Sequence, residues 1–188
     1  MAASLLSEFR VLVVPGLQNS GPEHWQSRWQ RLYARFGRVV QDDWDTPDLP
    51  AWSARVTASR QQDRRPALIV AHSFGCLASV HSIAADPAQV AGLLLVAPAE
   101  PGKFGVAGQL PWLALPCPST MIASTDDPWM SLDNAALWAR RWGSQFVNAG
   151  ALGHINAGSG LGAWLFGQQQ LQLLAERAHN GRRVPQLA

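Results

Sequence analysis

The sequence predicts an α/β fold: a mainly parallel sheet of about six strands with helices on both faces, in one domain over residues 1–188. Three observations predict it. Short apolar runs alternate with helix-length segments, and that alternation calls for crossovers that lay parallel strands side by side. The 188 residues, 47% hydrophobic and 15% charged, are ample for one core and short for two. Finally, the run Ala67-Leu68-Ile69-Val70-Ala71 enters a helix through His72-Ser73-Phe74-Gly75 with no breaker beyond it, which marks a sharp strand-to-helix turn.

Strands are expected at residues 10–14, 38–41, 67–71, 92–97, 119–123 and 145–148. Residues 22–36 carry Trp25, Trp29, Leu32, Tyr33 and Phe36 at steps of three and four, a stripe that reads as a helix face packed on the sheet. Residues 48–62 place Pro50 in a first helical turn and Trp52, Val56 and Ser59 along one side. Helices over residues 131–142 and 161–177 complete the set. The ends, 1–8 and 178–188, read as loosely ordered, the second because it holds Asn180-Gly181 and Pro185. Between Pro98 and Pro116 the chain is broken by glycine and proline, so a loop with about one helical turn is expected and no large cap domain.

Composition narrows the function classes. With 15 basic and 13 acidic residues the formal net charge is +2, which leaves no surplus for a phosphate backbone, so nucleic acid is not an expected partner. No stretch reaches the ~20 apolar residues of a membrane span, and the first ten residues lack a basic flank and apolar core. A cytoplasmic protein with no membrane partner is expected. Cys76 and Cys117 lack metal-type spacing and cannot build a disulfide framework, so both read as reduced thiols, with Cys76 as core packing. Nine tryptophans call for a thick core or an apolar cleft.

The turn at Ser73 has the steric signature of a nucleophile elbow, in which the positions two before and two after the serine must be small. Gly75 meets that demand, and Ala71 stands where the usual signature has glycine. Partners are sought at the carboxyl ends of other strands, where an open parallel sheet gathers its chemistry. After the first strand, Pro15-Gly16-Leu17-Gln18 can present main-chain N–H groups. An oxyanion hole then reads as the N–H of Phe74 with that of Leu17, Gln18 being the alternative donor. After the fifth strand come Asp126 and Asp127, and after the sixth comes His154 behind Gly153. Serine, acid and histidine in that order supply an attacking oxygen, a base for its proton and a carboxylate that sets the base's tautomer. Asp127 is preferred as the acid because Pro128 holds it extended, and Asp126 is expected to cap or to face solvent. His72 reads as pointing away from Ser73, His81 as two turns down the helix, and His24 as at most lining the cleft. Phe104, Leu110, Trp112 and Trp129 are expected to form the apolar walls of a shallow pocket, with Gln18 and His24 at its edge.

Four strings carry a family resemblance: Val13-Val14-Pro15-Gly16 with Ser20-Gly21-Pro22-Glu23-His24-Trp25-Gln26-Ser27-Arg28-Trp29, Ala71-His72-Ser73-Phe74-Gly75, Ser124-Thr125-Asp126-Asp127-Pro128, and Gly153-His154-Ile155-Asn156. Through them the chain resembles the small serine hydrolases of the retinoblastoma-binding-protein-9-like (YdeN-like) family of the α/β-hydrolase superfamily. The resemblance implies a trimmed hydrolase core, a triad of Ser73, Asp127 and His154, and no metal or organic cofactor; the leading reading is a serine hydrolase acting on a small-molecule acyl substrate, an ester, thioester or amide. The resemblance leaves the natural substrate open. It also admits a rival, an interaction module whose tryptophans, such as Trp112, Trp129 and Trp164, form a contact patch for a protein partner; a third reading is an acyltransferase using the same triad.

Overall fold

A computed structural model describes residues 5–183. Its six strands are β1 (Arg10–Val14), β2 (Phe36–Arg38), β3 (Ala67–Ser73), β4 (Val90–Pro98), β5 (Ser119–Ala123) and β6 (Gln145–Asn148). All pair in parallel, in the order β2-β1-β3-β4-β5-β6. The helices are α1 (Trp25–Leu32), α2 (Leu49–Gln61), α3 (Phe74–Ala85), α4 (Leu132–Trp142) and α5 (Leu165–Arg183). From β1 the chain travels outward to β2, and from β3 it travels the other way to β4. The loops leaving β1 and β3 therefore diverge, opening a crevice at the carboxyl ends of two adjacent strands.

Strand side chains alternate between two cores. Leu12, Ile69, Leu93 and Met121 pack under α2, α3 and α4, together with Trp52, Leu77, Trp138 and Trp142. Val11, Leu68, Leu94 and Ile122 face α1 and α5, where Trp25, Trp29 and Leu174 close the layer. Six of the nine tryptophans are buried, so the tryptophan excess is mainly core. The buried Gln26 amide of α1 donates to the carbonyls of Val14 (3.2 Å) and Val70 (3.0 Å) and ties the ends of β1 and β3 together.

The elements depart from the sequence reading at the sheet edge and at the termini. β2 lies at 36–38 rather than 38–41, because its pairing is set by Val11, Leu12 and Val13 of β1, which meet Phe36, Gly37 and Arg38. That pairing takes Phe36 out of the aromatic stripe, and α1 is correspondingly short. Leu32 and Tyr33 are exposed, while residues 22–24 form a turn in which the His24 imidazole caps the helix by accepting from Gln26 N–H. α5 starts four residues later than expected, after the left-handed Gly162 and Trp164, and continues past Arg177 because Ala178 is buried on the sheet. The expected loose tail is thus helix as far as Arg183, and 184–188 lie outside the described residues. At the other end, residues 1–4 lie outside the described residues and Leu5–Glu8 form a 3₁₀ turn. Between β4 and β5 the chain makes two 3₁₀ turns, Pro101–Phe104 and Ala107–Gln109, and no separate cap.

Candidate active site

β3 ends at Ser73 in a backbone conformation (φ 53°, ψ −126°) that a non-glycine residue adopts only when its surroundings impose it. Two glycines make room for the turn. A Cβ on Gly75 would stand 2.3 Å from the Pro15 carbonyl oxygen, and one on Gly16 would stand 2.7 Å from Ser73 Cβ and 3.2 Å from its Oγ. The loop after β1 thus lies directly on the serine. Ala71 is fully buried, so the methyl group in place of the usual glycine hydrogen fits.

Ser73 Oγ is 2.9 Å from His154 Nε2, and His154 Nδ1 is 2.9 Å from both carboxylate oxygens of Asp127. A carboxylate only accepts, so in the neutral imidazole Nδ1 carries the hydrogen and the Nε2 lone pair is left to accept from the serine hydroxyl. Asp127 is held in turn by the main-chain N–H of Trp129 at 2.8 Å, and its side chain is 3% exposed. The adjacent Asp126 does something other than cap or simply face solvent. Its Oδ1 accepts from Gly153 N–H and from Ser124 O–H, both at 2.7 Å, and these two bonds, the hydroxyl first, hold its carboxyl below the usual range.

The other expected pocket residues divide. Trp129, half exposed, lies with its ring 6.2 Å from that of His154, while Lys103 donates to Pro128 O and reaches over the indole. Phe104 packs on Phe74, the residue after the serine. Leu110 is only 3% exposed and belongs to the core, so it is no open wall. Trp112 is exposed, but the Arg141 guanidinium lies over its ring and Trp138 lies tilted beside it, both on α4. Gln18 is exposed, in left-handed backbone, and its N–H donates to Trp44 O at 2.8 Å. His24 is 4% exposed, so it is buried behind the site instead of lining it, and burial, then Arg38 and His154, lowers its imidazole to about 4. Trp164 is also buried, which removes it from the tryptophan contact patch.

His72 does not simply point away. Its Nε2 lies 2.9 Å from the carbonyl oxygen of His154 and its ring 4.9 Å from the His154 ring. Burial, then His24 and His154, holds its imidazole well below the usual range, so it is neutral. The Trp25 indole N–H donates to Ile155 O at 2.8 Å. Sequence reading missed this contact, because an indole in an amphipathic stripe looks the same whether or not its N–H has a partner. Burial pushes the Cys76 thiol up strongly and the Cys117 thiol up to about 12, so neither supplies a thiolate nucleophile. Among the described residues no group of three or more His, Cys, Asp or Glu could hold a metal ion, and no helix is long and apolar enough to cross a membrane.

The serine hydrolase family model matches residues 11–173. The chain belongs to the serine hydrolase family. A structure from Pectobacterium atrosepticum described as a YdeN-like hydrolase is 36% identical over 93% of this chain and 94% of that one, with a TM-score of 0.89. The ydeN product of B. subtilis shares the fold at 18% identity, covering 89% and 99% of the two chains with a TM-score of 0.74. An alpha-beta serine hydrolase homologue from Coxiella burnetii does so at 12% identity, 88% and 83% coverage and a TM-score of 0.59. No curated protein matches the chain. This serine hydrolase is thus a small α/β-hydrolase related to the YdeN-like proteins.

Proposed function

We propose that the protein cleaves a small carboxylic ester, thioester or amide through an acyl-enzyme formed on Ser73. The continuous hydrogen-bonded line Ser73–His154–Asp127 carries this reading. Ser73 Oγ attacks the acyl carbon while its proton passes to His154 Nε2. The imidazolium, offset by Asp127, returns that proton to the leaving group as the acyl–leaving-group bond breaks. Water then attacks the acyl-enzyme with the same base, and the acyl–Oγ bond breaks to free the acid. The developing oxyanion is received by the N–H of Phe74, at the unsatisfied start of α3, and by that of Leu17. Leu17 is preferred to Gln18 because the Gln18 N–H already has the Trp44 carbonyl. Labelling with a fluorophosphonate tests the reading. Wild-type protein should label and Ser73→Ala should not, while labelling that persists in Ser73→Ala would place the nucleophile elsewhere.

Little chain covers the site. The connection between β4 and β5 offers two 3₁₀ turns, and its Phe104 together with Trp129 is only partly buried. A long acyl chain would leave most methylenes in water and forgo the ~0.8 kcal/mol that each gains on burial. Activity should therefore peak with acyl chains of about two to six carbons, since further methylenes have nothing to pack on. The check is kcat/KM for p-nitrophenyl esters of increasing length, and a steady rise to long chains would reveal an enclosed acyl tunnel instead.

A further inference from the structure

The loop that carries His154 belongs to no strand or helix, yet side chains from three directions bind its main chain. Ser124 Oγ accepts from Leu152 N–H at 2.9 Å, and Asp126 Oδ1 accepts from Gly153 N–H at 2.7 Å. On the other side His72 donates from Nε2 to His154 O at 2.9 Å, and Trp25 donates to Ile155 O at 2.8 Å. A carbonyl only accepts, so the His72 hydrogen sits on Nε2. The loop needs such holding because Ile155, β-branched and buried, has φ 46°. Released, it would relax toward an ordinary conformation and carry the imidazole with it.

We propose that His72 and Asp126 are positioning residues, which hold the main chain on either side of the base so that its Nε2 stays within reach of Ser73. The two adjacent acids then act at different points, Asp127 orienting the ring of the base and Asp126 the Leu152–Gly153 peptide that leads to it. The inference rests on the hydrolase reading above, and it makes chemical demands that a merely structural role would not. Asp126 needs an acceptor at Oδ1, not a charge, so an amide should replace it. His72 needs a donor at the distance of Nε2, which glutamine can also present.

The experiment compares Asp126→Ala with Asp126→Asn, and His72→Phe with His72→Gln, in the full chain, reading the fluorophosphonate labelling rate together with kcat and KM for a short p-nitrophenyl ester. Circular dichroism and Tm are measured alongside, so that rates refer to folded protein. Displacing a reacting group by about 1 Å costs up to about 100-fold. The labelling rate and kcat should therefore fall about 10- to 100-fold in Asp126→Ala and His72→Phe, with KM nearly unchanged. Asp126→Asn and His72→Gln should recover to within about threefold of wild type, the range left for imperfect replacement geometry. Wild-type rates in Asp126→Ala overturn the proposal, as does a loss in Asp126→Asn equal to that in Asp126→Ala. Asp126 is exposed, so its variants decide the matter even if His72→Phe does not fold. Failure of the wild type itself to label would overturn the hydrolase reading, an outcome visible before any variant is compared.

Discussion

The turn at Ser73 and the loop at His154 hold two hydrogen-bonded side chains by opposite means. Ser73 is the last residue of a central strand paired on both sides, and its strained backbone is accommodated by two positions that have no side chain: Gly75, against the carbonyls of Pro15 and Val14, and Gly16, against the Ser73 side chain itself. His154 has no strand to sit on, and its loop is bound by the side chains of Ser124, Asp126, His72 and Trp25. The place of Ser73 is thus a property of the sheet, and the place of His154 is a property of a polar network. A sheet resists single substitutions at its surface and fails when its backbone is obstructed. A network degrades one bond at a time.

Asp127→Asn should have the largest effect, because the amide favours the wrong imidazole tautomer and offsets no charge. Turnover should drop by about 10³ to 10⁴ in a protein that still folds. Steady-state kinetics on a short ester decides it, and a smaller loss here than in Asp126→Asn would exchange the roles of the two acids. Gly75→Ala tests the other half of the contrast, since its Cβ would meet the carbonyls of Pro15 at 2.3 Å and Val14 at 2.7 Å, main-chain atoms with nowhere to go. A loss of about 4 kcal/mol in urea unfolding is expected, with activity lost through unfolding. Near-wild-type stability would mean that the elbow is softer than the contacts imply. Trp25→Phe should do least: it strands the buried Ile155 carbonyl, and that costs about 1–3 kcal/mol. Trp29→Phe removes a similar bond, to Ala163 O at 2.7 Å, away from the base. Both should lower the urea midpoint, but only Trp25→Phe should also slow labelling, and equal labelling rates in the pair would uncouple Trp25 from the base.

The same contrast explains what could be read in the sequence. β1, β5 and β6 have the bounds that their apolar runs predict, and the serine turn is legible because a close approach of backbone leaves a trace in residue size. β2 and α1 were not legible, since the position of an edge strand depends on its neighbour, here Val11 to Val13. Once Phe36 joins the sheet, Leu32 and Tyr33 fall outside the core despite their helical spacing. The helix beyond Arg177 was hidden by Asn180-Gly181, whose weak propensity is outweighed by burial of the preceding turn. At the site, the order of serine, acid and histidine pointed to the chemistry, whereas the supports of the histidine loop come from residues whose types are common in caps and cores. Nothing in the letter at position 72 or 126 says which peptide it will hold.

The excursion between β4 and β5 has a different kind of consequence. None of Ser73, Asp127 or His154 lies on it, and at Gly105 and Gly108 an added side chain would meet nothing within 4 Å. Gly108, in the exposed turn Ala107–Gln109, is therefore an open point for insertion. A longer segment grafted at Gly108 would leave the hydrogen-bonded line from Ser73 through His154 to Asp127 as it is, so this connection can change in length while that line does not.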